Sequence, residues 1–223
     1  MLRALFYKEW IKLRWPFLIL GILGLASLVQ AGLTLRYLVA MKEVGELWEG
    51  LIIKQQMPYA SHLVFPQFCG LVLGIFQWFP ETHKRRLRLM LHLPLREGLV
   101  VLVVVATGLF LTLSLALAHG FGLALLYGLR FPGEIVTALA WAWAPSMLAG
   151  LALYCGTAMV LMETAWWRRI AGALLVVGFY RMLTAGGPPA AYAEALGSYG
   201  LLTLCLVIML FLPVMRAKRG GSL

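Results

Sequence analysis

Aspartate does not occur in the 223 residues, and charge of either sign is scarce: Asp, Glu, Lys and Arg together make up 13%. A soluble domain carries about 25% charged and roughly 45–50% apolar residues. Here 62% are hydrophobic and the mean hydropathy is +0.87. An ordinary water-soluble enzyme is excluded, and so is a disordered chain, which needs low hydrophobicity. Cysteine is also sparse. Cys69, Cys155 and Cys205 lie far apart, each inside an apolar run. An odd number with no C-x-x-C spacing supports neither a disulfide framework nor a zinc site. They read as small residues facing lipid or core.

Catalytic signatures are missing too. No G-x-x-x-x-G-K-[ST] phosphate loop is present, and Gly-Lys does not occur even as a pair. There is no H-E-x-x-H helix and no G-x-S-x-G nucleophile elbow. The chain is therefore not expected to be an enzyme. His62 and His119 are the only histidines within apolar runs. They fall near opposite ends of different runs, which argues against a facing pair for haem. A structural or pore-lining role is expected for each.

What is present is a series of long apolar runs. A helix needs about 20 such residues to cross the hydrocarbon core. Runs free of Asp, Glu, Lys and Arg extend over Trp15–Leu35, Pro58–Pro80, Gly98–Leu129, Ile135–Met162 and Ala195–Met215. A sixth candidate, around Ile170–Ala185, holds Arg181 near its far end. An arginine there can snorkel to the interface, so this segment is counted as a span. The spans are expected near 15–38, 59–80, 98–127, 135–162, 168–185 and 199–216. The third run is read as one long helix with a bent end.

The net charge of +10 follows the same plan. With six spans and a cytoplasmic N-terminus, the inner side holds Arg3, Lys8, Lys12, Arg14, Lys84, Arg85, Arg86, Arg88 and Arg96. It also holds Arg168, Arg169, Arg216, Lys218 and Arg219. Only Arg36, Lys42, Lys54, Arg130 and Arg181 lie outside. That asymmetry obeys the positive-inside rule. Basic clusters between apolar runs also speak against a nucleic-acid partner.

Four segments lie between or before the spans. Residues 1–14 place Leu2, Leu5, Phe6, Trp10 and Leu13 near one helical face, with basic residues on the rest. This reads as an amphipathic helix in the membrane interface, with Pro16 opening the first span. Residues 41–57 carry Glu43, Glu46 and Glu49 and suggest a short outer helix on a solvated face. Residues 81–97, ETHKRRLRLMLHLPLRE, are cationic first and leucine-rich after. Two roles fit: charges bound to anionic headgroups, or a cytoplasmic helix of about 82–93 that docks a partner. Residues 186–198 open with Gly186-Gly187-Pro188-Pro189 and suggest an outer surface or re-entrant segment. Within the fourth run Ala142, Ser146 and Gly150 form a small-x-x-x-small series, and Ala152 with Gly156 a second. Trp141 and Trp143 read as interfacial anchors, with Trp166 and Trp167 beside Arg168 and Arg169 at the inner boundary.

Taken together, this organisation resembles the membrane subunit of type-2 ATP-binding-cassette exporters over nearly the whole chain. The opening LFYKEWIKLRW is similar to that family's interfacial elbow, with Lys8, Glu9, Trp10, Lys12 and Arg14 carrying the likeness. Glu81 ending the second span, and Leu93-Pro94-Leu95-Arg96 closing the loop, are similar to its coupling helix. Where the family often has Gly-Thr after the acid, Lys84-Arg85-Arg86-Leu87-Arg88 stands here.

The resemblance implies an all-α integral membrane protein: an elbow helix, six transmembrane helices and a cytoplasmic coupling helix. It implies a permease subunit in a bacterial-type inner membrane, with both termini cytoplasmic. ATP and magnesium would be held by separate ATPase subunits, and this chain would hold no cofactor. A second copy or a related permease chain would complete the pathway. Glu81, Thr82, Lys84, Arg85, Arg86, Arg88, Leu91, Pro94 and Arg96 would form the ATPase contact. Two alternatives stay open: a haem-exporter-like subunit of cytochrome c maturation, and a membrane scaffold or assembly factor without transport. The spans lack intramembrane acids apart from the boundary residue Glu163. This favours a lipid-like or amphipathic substrate over a strongly cationic one.

Overall fold

In the computed structural model, residues 2–41, 58–82, 97–185 and 191–218 are described. Helices dominate them, and among the described residues there is no strand. The helices are α1 (Leu2–Met41), α2 (Phe65–Thr82), α3 (Glu97–Gly128), α4 (Gly133–Met162), α5 (Trp166–Leu183), α6 (Leu196–Met209) and α7 (Phe211–Lys218). A 3-10 turn, Ala60–Val64, leads into α2. Long apolar helices are the expected outcome for such runs, because a helix satisfies every backbone group within its own segment.

Among the described residues, five segments are long and apolar enough to cross a membrane: Leu2–Ala40, Ala60–Thr82, Gly98–Gly128, Gly133–Met162 and Leu196–Pro213. The third run is a single 32-residue helix. α5 is helical over the expected span at 168–185, but its 18 residues include Arg168, Arg169 and Arg181. It nonetheless runs alongside α4. Arg169 near its start donates to the Glu163 carbonyl, and Tyr180 near its end donates to Gln67 at the opposite end of the bundle.

The N-terminal segment differs from the expected separate elbow. α1 continues through Pro16 without a break in the helix. The reason is visible in its buried stripe: Leu5, Glu9, Leu13, Pro16, Leu20, Gly24, Ala31 and Leu35 recur at helical spacing along one face. One continuous face packs against α2 and α3, so the first fourteen residues stay in register with the span. Leu2 and Phe6 are exposed, and Glu9 is buried together with Leu5 and Leu13. The expected 41–57 helix and most of the 82–93 coupling helix fall at 42–57 and 83–96, outside the described residues, as do 186–190 of the outer segment.

α4 is the central helix and packs against α2, α3, α5 and α6. Lipid tails are as apolar as leucine, so close packing and not water exclusion holds such helices together. The expected small-residue series lies at this contact. A Cβ on Gly70 would overlap the Gly150 carbonyl, and one on Gly150 would overlap that of Pro66. Ser146 donates to the Leu63 carbonyl and receives a 3.3 Å bond from Gln67. Ala142 packs against the cluster of Tyr59, Tyr127 and Trp143. Gly156 faces Val176 of α5. Cys69 and Cys155 are buried in the core and Cys205 is exposed.

These contacts generate a test. Gly70→Val should cost more than the roughly 1–3 kcal/mol of ordinary overpacking, because the opposing atom is backbone. Gly98→Val, where a Cβ meets nothing within 4 Å, should cost no more than helix propensity changes. Thermal unfolding midpoints of the two detergent-solubilised variants check the difference. Equal midpoints would contradict the backbone contact.

Candidate functional site

Charged groups rarely enter a bundle of this composition unless partnered, so their position marks where function is to be sought. Among the described residues, a polar cluster in the interior lies toward each end of the bundle.

The first joins the start of α1 to the end of α2. Glu9 is 0% exposed and Glu81 3%. Lys12 reaches between them, with its Nζ 3.1 Å from both Glu9 oxygens and 2.7 Å from Glu81 Oε1. Lys8 Nζ adds a 3.2 Å contact to Glu81 Oε1. Behind this pair sits Gln77, fully buried. Its Nε2 donates to Glu9 Oε2 at 3.0 Å and to the Val104 carbonyl at 2.8 Å. Tyr154 of α4 donates to Gln77 Oε1 at 2.7 Å. The network thus links α1, α2, α3 and α4. Gly108 makes it possible, since a Cβ there would overlap both Gln77 Oε1 and the Tyr154 hydroxyl.

This places the expected elbow residues. Lys8, Glu9 and Lys12 are in the cluster. Trp10 is half-buried, edge-on to Phe17 at 5.7 Å, and Arg14 lies over the Trp15 ring at the surface. Of the expected coupling residues, Glu81 is in the cluster. Thr82 only closes its own helix end, donating to the Phe79 carbonyl. Lys84, Arg85, Arg86, Arg88, Leu91, Pro94 and Arg96 lie outside the described residues. Gln77 and Tyr154 were missed because each sits alone in an apolar run. The signal was available: a glutamine four residues before Glu81 lies on the same helical face.

Beside this end, Glu163 binds Arg216 at 3.0 Å and Arg168 at 3.7 Å. Arg168 also lies over the Trp167 ring, 5.0 Å from its centre. The start of α5 and the last helix are thereby tied together.

The second cluster overturns an expectation. His62 and His119 do not lie apart. Their rings are 6.3 Å from centre to centre. Helices α2 and α3 run antiparallel, so the beginning of one run and the far end of the next occupy the same depth. Ser27 of α1 sits between them, 2.8 Å from His62 Nδ1 and 3.2 Å from His119 Nε2. Phe65 stacks on His119 at 4.2 Å and Trp143 at 5.4 Å. Trp143 is therefore buried and packs on an imidazole, whereas Trp141 is exposed as an anchor would be. Among the described residues, no three of His, Cys, Asp or Glu converge as a metal site.

The first cluster can be tested by removing its central cation. Lys12→Met leaves Glu9 and Glu81 with Lys8 as their cation among the described residues, and breaking a buried ion pair costs about 3–5 kcal/mol. A Lys12→Met, Glu9→Gln double variant should recover part of that loss. Chemical or thermal unfolding in mild detergent reads both, and a Lys12→Met protein as stable as the parent would refute the pairing. The functional reading rests on this geometry and on the sequence, since no family model, curated protein or solved structure matches the chain.

Proposed function

We propose that the chain is the membrane permease subunit of an ATP-binding-cassette exporter. In this reading it forms part of a translocation pathway and is driven by separate ATPase subunits. The observation that carries the reading is the clamp of Lys8 and Lys12 on Glu81. It joins the N-terminal helix to the residue that opens the basic, leucine-rich loop at 83–96. A partner that pulls on that loop acts on a point already tied to α1, α2, α3 and α4. ATP-driven export needs such a point, because two packings of the bundle must be biased by events outside the membrane.

Further support comes from the length of α5. Eighteen residues span about 27 Å, close to the hydrocarbon thickness. Its arginines sit near its two ends, where they can reach headgroups. Six crossings then return the basic C-terminal segment to the side of the N-terminus, as positive-inside asymmetry requires. In this reading the membrane is a bacterial-type inner membrane and both termini are cytoplasmic.

The experiment is gentle detergent purification of the tagged chain with mass spectrometry of what accompanies it. A stoichiometric subunit carrying a phosphate loop is expected. Charge reversal at Lys84, Arg85 and Arg86 should release it while the permease stays folded. Retained association and coupled ATPase activity in that variant would overturn the docking role. Recovery of the chain alone under several mild conditions would favour a scaffold.

A further inference from the structure

Glu163, Arg168 and Arg216 line one end of a groove of about 280 Å3 where α4, α5 and α7 come together. The lining is sorted by depth. On α4, Met159 and Val160 precede Glu163; on α5, Gly172 and Leu175 follow Arg168; on α7, Leu212 precedes Arg216. On each helix the apolar members therefore lie on the span side of the charge. From Arg168 to Leu175 this apolar stretch is about 10 Å at 1.5 Å per residue. Gly172 leaves the groove its width, since a Cβ there would already press on the Met159 methyl at 3.0 Å.

The charged end is open to a ligand. The Arg168 side chain is 38% exposed and that of Arg216 46%. Glu163 takes only Nη1 of each, Arg216 at 3.0 Å and Arg168 at 3.7 Å, and the second is too long for a hydrogen bond. A guanidinium carries five N–H donors in a planar fork. Most of those donors have no acceptor among the described residues, and the fork matches the oxygens of a phosphate. Arg169 turns away, donating to the Glu163 carbonyl. Trp167 completes the rim with its ring under Arg168, and an indole suits the headgroup level.

Two arginines against one glutamate leave the lining with one positive charge in excess. That excess complements one phosphodiester whose headgroup brings no cation of its own. A zwitterionic headgroup would set its ammonium beside two arginines, where the one carboxylate is already shared. The apolar stretch decides between a lipid and a free phosphate. Leu175 and Leu212 are exposed, and an acyl chain covers them whereas a free phosphate does not. The volume lies just under the range of sites that enclose a whole ligand, about 300–1,000 Å3. It suits a phosphate and the upper part of one chain, with the rest of the molecule left in the bilayer. We propose that this groove binds an anionic phospholipid of the phosphatidylglycerol kind. Its phosphodiester lies between Arg168 and Arg216, and one acyl chain runs along Gly172 and Leu175. Basic pockets between membrane helices bind headgroups of this sort. The inference does not depend on the permease reading, because it concerns only the chain and its bilayer.

The test uses the full chain in phosphatidylcholine nanodiscs that contain a phosphatidylglycerol probe with a diazirine near the top of one acyl chain. Label is mapped peptide by peptide and is expected at Met159–Val160, Gly172–Leu175 and Met209–Leu212. Excess unlabelled phosphatidylglycerol should displace the probe about tenfold more effectively than phosphatidylethanolamine. Arg168→Gln leaves the 3.0 Å pair of Glu163 and Arg216 in place and brings the lining to neutrality. It should lower labelling about fivefold, the worth of one arginine near an anionic surface. Gly172→Leu keeps every charge, favours the helix and fills the groove, and should lower labelling by a similar factor. Phosphatidylethanolamine competing as well as phosphatidylglycerol would overturn the selection by charge. Labelling indifferent to Gly172→Leu would overturn the groove. Displacement by soluble glycerol phosphate at the same concentration as phosphatidylglycerol would make the ligand a free phosphate and overturn the lipid. Label confined to peptides of the basic loop at 83–96 would place the bound lipid there and overturn the site. Thermal midpoints of both variants report folding, and the peptide map and competition on the parent protein decide the matter if either fails to fold.

Discussion

Between Gly70 and Gly150 the backbones of α2 and α4 approach with no side chain separating them, which only glycine on both sides allows. In lipid, burial of apolar surface gives little reason for one helix to prefer another, so such contacts decide which helices are neighbours. Once α2 lies against α4, Gly74 meets the Tyr154 carbonyl and Thr157. Tyr154 then reaches Gln77, and Gln77 reaches Glu9. The polar interior is thus a consequence of a contact that is itself entirely backbone.

That interior also explains how acids survive here. Glu9 and Glu81 have no exposure to speak of, yet each is held by lysine, and Glu9 also by an amide donor. The lysine stems cover apolar surface while their heads converge on the carboxylates. Taking one cation away leaves charge with nowhere to go, whereas taking a matched pair away does not. Removing a single partner is therefore the more damaging change.

Much of the helical framework was legible from run length alone, because a membrane demands one continuous apolar helix per crossing. The series Ala142, Ser146 and Gly150 was legible for the same reason, as small residues at helical spacing have few other uses in lipid. Its partner face on α2 was not, since Gly70 and Gly74 stand in a run where nothing else marks a contact. The first residues of α1 misled because Lys8 and Lys12 look like headgroup ligands until Glu81, 69 residues beyond Lys12, is brought beside them. The histidines misled because distance along a run was taken as distance in depth. Applying antiparallel order to α2 and α3 would have brought them together. The basic loop, which carries most of the proposed ATPase contact, lies outside the described residues.

The unbroken course of α1 has a mechanical side. Lys12 belongs to the polar cluster at one end of the bundle and Ser27 to the cluster in the other half, fifteen residues on, or about 22 Å along a single helix. A hydrogen-bonded helix resists stretching, so the two clusters are joined by a rod. Sliding it by a few ångströms would pull Lys12 from Glu81 and Ser27 from both imidazoles in the same stroke. The far cluster thereby keeps time with the near one, and the hydroxyl between the histidines becomes a gauge of where the N-terminal helix stands.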